Sequence, residues 1–108
     1  MKAYHFKNST ENSKTDFLYI PDKDVFVAYL REPAMKTIID YSRPRFLERA
    51  KAILDGKKDE VGITFSDEIE LDERTASRIE RKKSKIRRNL KDFDGSTEGL
   101  IRILAWEK

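Results

Sequence analysis

The first 30 residues contain three short segments of apolar and aromatic residues that are typical of β-strands. A short first strand contains Tyr4 and Phe6, and the polar stretch 8–14 predicts a surface loop. Segments 17–20 and 25–30 are rich in β-branched and aromatic residues, and the Pro-Asp-Lys-Asp sequence between them has the chemistry of a turn. The pattern therefore predicts one strand followed by a β-hairpin.

Residues 34–54 carry a helical pattern in two parts. Apolar side chains after Pro33 recur at the spacing of one helical face: Ala34, Met35, Ile38 and Ile39. A second set follows Pro44 and is closed by Gly56: Phe46, Leu47, Ala50, Ile53 and Leu54. We expect two helices that are separated by a break at Pro44.

A period of two follows in residues 61–71. The apolar side chains all fall on odd positions: Val61, Ile63, Phe65, Ile69 and Leu71. This is the pattern of a half-buried strand, which Asp67 interrupts. A hairpin with the three-residue loop 66–68, or one bulged strand, would keep the apolar residues before Asp67 and those after it on one face.

The last two elements are a long helix and a strand. Asp72 is a suitable N-cap for a helix over residues 73–92, which Asp94 and Gly95 would end. Residues 100–106 are nearly continuously apolar, which favours a strand in the middle of the sheet.

The resulting order, β-β-β-α-α-β-α-β, predicts an α+β fold. We expect a mainly antiparallel sheet of four to six strands with two or three helices packed on it. The length of 108 residues is typical of one domain, so residues 1–108 are expected to form a single domain. The residues expected to be largely buried are Phe46, Ile63, Phe65, Ile79, Ile86, Leu104 and Trp106.

The amino-acid composition excludes several classes of catalytic and metal-binding site. The chain has no cysteine, which excludes disulfides, thiolate catalysis and cysteine-ligated metals. His5 is the single histidine, so neither a His-pair metal site nor a two-histidine nuclease site can be built in one chain, and we expect His5 to be structural. The four glycines fit no nucleotide-binding spacing. We therefore expect no cofactor, no metal site and no catalytic residue, and we expect a cytoplasmic protein without membrane contact.

Charge is unevenly distributed along the chain. Segment 59–73 contains seven acids and no base, whereas segment 74–91 contains nine bases and the single acid Glu80. Within the predicted helix, five cations gather into one ridge: Arg78, Arg81, Lys82, Lys85 and Arg88. Cations at this spacing repel one another, so we expect an anion outside the helix to offset the repulsion. A phosphate backbone fits such a ridge.

Three functions remain open. The leading hypothesis is a non-enzymatic binding module that contacts nucleic-acid phosphates through helix 73–92, with strand aromatics such as Tyr4 and Phe6 available to stack bases. The alternative is a small interaction or inhibitor protein of a mobile element, which would use its acidic and basic surfaces on a protein partner. The third is a metal-independent ribonuclease, in which Arg102 would face an anion.

The oligomeric state is a further expectation. The acidic and basic segments are adjacent in sequence and difficult to pair within one strand and helix unit. We therefore expect a homodimer in which two copies exchange them.

Overall fold

The computed structural model describes residues 1–9, 14–31, 36–59, 61–83, 86–87 and 93–106. These residues form six strands, three α-helices and one 3-10 turn. The strands are β1 Lys2–Ser9, β2 Lys14–Ile20, β3 Val25–Arg31, β4 Lys36–Asp40, β5 Thr64–Glu70 and β6 Ile86–Arg87. The helices are α1 Pro44–Leu54, α2 Glu73–Lys82 and α3 Thr97–Ala105, and the 3-10 turn is Pro21–Lys23.

The strands form one antiparallel sheet in the order β5-β1-β2-β3-β4-β6. This confirms the α+β class and the expected numbers of strands and helices. The hairpin of β2 and β3 is also confirmed, since Pro21–Lys23 turns the chain and the N–H of Asp24 donates to the carbonyl of Pro21. Asp24 takes the left-handed conformation, which an Asp side chain tolerates.

The sheet is covered on both faces, so its side chains alternate between two cores. Helices α2 and α3 pack on one face, the α2–α3 face, over Leu18, Val27 and Tyr29. Helix α1 packs on the other, the α1 face, whose core is mostly aromatic: Phe6, Phe17, Tyr19 and Phe26. Burial on both faces explains why β2 and β3 read as continuous apolar runs.

Strand β5 is a single bulged strand. It pairs with β1 so that His5 is opposite Asp67 and Phe6 is opposite Phe65, which leaves Ser66 as the extra residue. The bulge confirms one of the two expected forms. The expectation that the apolar sets share a face is wrong, because Phe65 lies on the α1 face with Phe6 while Ile69 packs on the α2–α3 face.

The prediction of a helix in segment 34–40 is wrong for Lys36–Asp40, which form β4. This strand pairs with β3 from Arg31 opposite Lys36 to Val27 opposite Asp40. Ile38 packs in the core of the α2–α3 face and Ile39 in that of the α1 face. Adjacent apolar residues suit a strand that is buried on both sides, and β-branched residues favour it.

The prediction of a final strand over residues 100–106 is also wrong, because Thr97–Ala105 form α3. Ser96 is the N-cap, and its side chain accepts a hydrogen bond from the N–H of Gly99. The buried residues Leu100, Ile101, Ile103 and Leu104 have the spacing of one helical face. A short apolar run that is interrupted only by Arg102 fits both a strand and a helix, and the capping residue Ser96 distinguishes them.

The helix predicted over residues 73–92 begins as expected and ends early. Asp72 caps it, accepting a 2.6 Å hydrogen bond from the N–H of Thr75. The helix ends at Lys82, Lys83 is extended, and β6 then pairs with the outer edge of β4. Repulsion between successive cations weakens a longer helix, and a free strand edge offers the backbone other partners.

The expected core is confirmed in part. Ile63, Ile79 and Leu104 are buried and Phe46 is half-buried, whereas Phe65 and Trp106 are 46% and 39% exposed. Ile86, which was also expected to be buried, is not among the residues whose side chains the structure describes. None of the described helices is long and apolar enough to cross a lipid bilayer.

Candidate functional site

The predicted cationic ridge is partly present on α2. Arg78, Arg81 and Lys82 lie on this helix, with Arg81 exposed and the other two half-buried. Lys85 and Arg88 lie outside the described residues. At about 100° per residue, Arg74 shares an arc of about 100° with these three residues. We call Arg74, Arg78, Arg81 and Lys82 the cationic face of α2.

The end of α3 packs against this face. Nε of Arg78 donates a 2.9 Å hydrogen bond to the carbonyl oxygen of Ala105, in the last turn of α3. The guanidinium carbon of Arg78 lies 4.2 Å from the ring centre of Trp106, and that of Arg74 lies 5.3 Å from it. Positive charge at a helix C-terminus and over an indole ring is favourable. The contact leaves an exposed part of Trp106 among cations.

Aromatic stacking on the sheet, expected from its strand residues, is not supported. Phe6, Phe17, Tyr19, Phe26 and Tyr29 are buried, and Tyr4 is half-buried. The aromatic residue beside the cationic face is Trp106, which was expected in the core. On a helical projection Trp106 falls off the apolar face of α3, so a helical interpretation of residues 97–105 predicts its exposure.

The acids of segment 59–73 that the structure describes have contacts of their own, and Glu60 lies outside the described residues. Four of the described acids form ion pairs: Asp59 with Arg49 at 2.9 Å, Glu68 with Lys2 at 3.8 Å, Glu70 with the amino group of Met1 at 2.8 Å and Glu73 with Lys23 at 2.5 Å. Asp72 caps α2, and Asp67 accepts a hydrogen bond from Thr97. Among the described residues, none of these acids forms an ion pair with Arg81.

These contacts lower the pKa of Asp59, Glu70 and Glu73. A hydrogen bond from Lys23 lowers the pKa of Glu73, and the same bond raises the pKa of Lys23. Burial raises the pKa of Asp59, but hydrogen bonds from Arg49 and from the N–H of Ile63 outweigh it, so the pKa lies below its usual value. Hydrogen bonds from Thr75 lower the pKa of Asp72, and the charge of Arg74 on the cationic face lowers it further. The four ion-paired acids, by contrast, are matched by bases outside that face.

This arrangement removes the reason for which a homodimer was expected. The acids find partners within their own chain, so an exchange between two copies is not needed to neutralise them. The homodimer itself stays a prediction.

Lys83, at the end of α2, has a partner from the sheet. Its Nζ lies 3.4 Å from the carboxylate of Asp40 in β4. Burial raises the pKa of Asp40, but hydrogen bonds from Ser42 and the charge of Lys83 hold it below its usual value. Lys83 therefore belongs to the packing between α2 and β4.

His5 is the centre of a buried polar chain on the α2–α3 face. Its Nε2 lies 2.8 Å from Oδ1 of Asp16, and its Nδ1 lies 3.0 Å from the hydroxyl oxygen of Thr97. That hydroxyl donates to Oδ2 of Asp67 at 3.1 Å. A hydroxyl has one proton, so it must accept from His5, and Nδ1 carries a proton. His5 has no exposed surface, which agrees with a structural role.

The ribonuclease interpretation gains no support from these positions. Arg102 is an exposed residue of α3 and does not lie in a strand beside an anion site. In the part of the chain that the structure describes, no three His, Asp or Glu residues are arranged to hold a metal ion.

Comparison with known proteins adds no assignment. No protein-family model, curated protein or solved structure matches this chain. The function is therefore inferred from the residues of the chain itself.

Proposed function

We propose that the protein is a non-enzymatic module that binds nucleic-acid phosphates through the cationic face of α2. One observation carries the proposal: four of the seven acids of segment 59–73 form ion pairs with Lys2, Lys23, Arg49 and the N-terminal amine, whereas Arg81 forms none among the described residues. A match of the acidic segment with the cations of α2 inside one chain was the main alternative to an external anion. Because those four acids pair elsewhere and Arg81 is exposed, an anion from a partner can bind Arg81.

The chemistry of this face suits phosphate. Arginine presents donors in a planar fork that matches two oxygens of a phosphate group. Arg78 uses Nε for its bond to Ala105, which directs that nitrogen inward. Arg81, by contrast, is exposed and makes no ion pair with any described residue. Contacts of this kind position a backbone without reading its sequence, so we expect weak sequence preference.

Trp106 favours an unpaired strand over a duplex. Proteins that bind single strands combine cations along the backbone with aromatic rings on which bases stack. Trp106 provides a partly exposed ring beside Arg74 and Arg78. A base of a duplex is already stacked and cannot reach this ring.

The experiment is a binding titration with labelled single-stranded DNA, RNA and duplex DNA of equal length at about 50 and 200 mM salt. We expect affinity to fall as salt rises for all three, tighter binding of the single strands, and quenching of Trp106 fluorescence by them. A lack of binding at the lower salt, or an affinity that salt does not change, would overturn the proposal.

A protein partner is the second candidate, and the edge strand β5 favours it. Val61 and Phe65 are 59% and 46% exposed beside this edge, and an edge strand can add a strand from another chain. Such a partner would protect the amide protons of β5 from exchange, whereas a nucleic acid on α2 would leave them unchanged.

A further inference from the structure

A cleft of about 330 Å³ lies on the α1 face of the sheet, away from the cationic face of α2. Phe17, Phe26 and Ala28 line its sheet side, and Tyr41 and Phe46 line the side of α1. Ala28 stands between Phe17 on β2 and Ile39 on β4 in the register of the sheet. Ala28 is 1% exposed, so it lies at the bottom of the cleft.

Size indicates the kind of molecule that fits. An apolar cavity of about 150 Å³ holds benzene, so a cleft about twice as large has room for two or three fused rings. The volume also falls at the lower end of the range of known ligand pockets, about 300 to 1,000 Å³. Such pockets are lined mainly by apolar and aromatic side chains with a few polar groups, as this one is.

The rings of the cleft offer both preferred aromatic geometries. Phe17 and Phe26 are stacked, with ring centres 5.5 Å apart and planes 28° apart. Tyr41 and Phe46 are perpendicular, with centres 4.8 Å apart and planes 83° apart. Phe17 and Phe26 are buried, whereas Tyr41 and Phe46 are half-buried, so a flat ligand meets mainly the rings of Tyr41 and Phe46.

The charged residue that lines the cleft has a partner of opposite charge. Arg49 is the charged residue among the described lining residues, and Asp59 neutralises it through two hydrogen bonds of 3.0 and 2.9 Å. The other polar groups near the opening, Asn8 and Thr15, are uncharged and lie opposite each other on β1 and β2. A neutral ligand with one polar group matches this lining.

We propose that the cleft binds a neutral, flat aromatic molecule of two or three fused rings, with a hydrogen-bonding group directed to Asn8 and Thr15. This site is independent of the proposed nucleic-acid function, because α1 and α2 pack on opposite faces of the sheet. The substitution Arg81→Gln should therefore leave the binding of such a ligand unchanged.

The first test uses the wild-type chain with labelled methyl groups and 2-naphthol as the probe. We expect saturable NMR shifts at the methyl groups of Ala28, Ile39 and Ile63. The methyl groups of Leu18 and Val27, on the other face, should not shift. An absence of shifts up to the solubility limit, or equal shifts on both faces, would overturn the proposal.

The second test fills the cleft. Ala28→Phe should weaken 2-naphthol binding by at least about tenfold, a loss of about 1.4 kcal/mol. Ala52→Phe, on α1 but outside the lining of this cleft, is the matched control and should bind as wild type does. Ala28→Leu replaces Ala28→Phe if the larger residue prevents folding, and unchanged binding by a folded variant would contradict the site.

Two further probes test the chemistry of the ligand. The anion 2-naphthoate should bind at least about tenfold more weakly than 2-naphthol, because Asp59 offsets Arg49. Decanoate, a flexible chain of similar apolar content, should also bind more weakly. Tighter binding of naphthoate would contradict the neutral character of the site, and tighter binding of decanoate would contradict its preference for flat rings.

Discussion

Nδ1 of His5 lies 3.0 Å from the hydroxyl oxygen of Thr97, although 92 positions separate the two residues in the chain. Asp16 and Asp67 extend this contact into a chain that joins β2, β1, α3 and β5. Thr97 is the first residue of α3, so the polar chain fixes the start of that helix over the sheet. Buried polar groups of this kind are stable only when each has its partner.

Thr97→Val should therefore destabilise the protein more than Thr97→Ser. Valine has nearly the same shape but leaves Nδ1–H of His5 without an acceptor, which costs about 1 to 3 kcal/mol. Serine keeps the hydroxyl and loses one methyl group, at about 0.8 kcal/mol. Urea unfolding measures both free energies, and an equal loss in the two variants would show that the polar chain contributes nothing.

Arg78 should matter for stability more than its neighbour Arg81. Arg78→Ala removes the hydrogen bond to Ala105 and the contact with Trp106, for a combined loss of about 1 to 2 kcal/mol. Arg81→Ala, at an exposed position of the same helix, should stay within about 0.5 kcal/mol of wild type. Chemical unfolding, followed by the fluorescence of Trp106, measures the free energy of unfolding of both variants. Similar losses of stability in Arg78→Ala and Arg81→Ala would contradict the packing described for α3.

The ion pair of Asp59 and Arg49 should make stability depend on acid pH. The pKa of Asp59 is lowered in the folded chain, so its stabilising contribution is complete above the unfolded value of 3.8 and is lost as pH falls through the folded value. At neutral pH, Asp59→Asn should cost about 1.5 to 3 kcal/mol. The free energy of unfolding is measured for both proteins from neutral pH down to pH 3. The difference between Asp59→Asn and wild type should become smaller below about pH 4. The control is Asp55→Asn at an exposed position, and a difference for Asp59→Asn that stays constant with pH would contradict the account.

Two residues that the sequence pattern places together in the core should respond differently to truncation. Ile79→Ala should cost about 2 to 5 kcal/mol, because Ile79 is 1% exposed. Phe65→Ala should cost less than about 1.5 kcal/mol, because Phe65 is 46% exposed on an edge strand. Thermal or urea unfolding compares them, and a larger loss for Phe65 would mean that this side chain is covered by a partner.

Local patterns predicted the elements that have a distinctive composition or a clear boundary. β-Branched and aromatic composition and turn chemistry predicted the hairpin of β2 and β3, and a capping residue predicted the start of α2 at Asp72. Strand β4 and helix α3 were misassigned because short apolar runs that are buried on several sides have no distinct period. In both cases long-range packing decided the structure.

The candidate site could be predicted only in part for the same reason. Arg78, Arg81 and Lys82 follow from helical spacing, and the same spacing adds Arg74. Trp106 joins them only when the C-terminus of α3 is known to pack against α2. The partners of the acidic segment are Met1 and Lys2, which the pairing of β1 with β5 brings close, Lys23 in the 3-10 turn and Arg49 in α1. No local sequence pattern predicts such ion pairs.

The central claim is that the cationic face of α2 contacts phosphate, and the salt dependence of a matched pair of variants tests it most directly. The double substitution Arg81→Gln with Lys82→Gln is compared with Lys57→Gln and Lys58→Gln, which removes the same charge from an exposed loop. Glutamine is about as good a helix former as arginine or lysine, so α2 should remain folded.

On single-stranded DNA, the α2 variant should bind more weakly. Its plot of log affinity against log salt should be shallower by up to about 0.7 for each lost phosphate contact. The loop variant should keep the slope of wild type. Equal slopes for all three proteins, or the same decrease in both variants, would contradict a phosphate contact at α2.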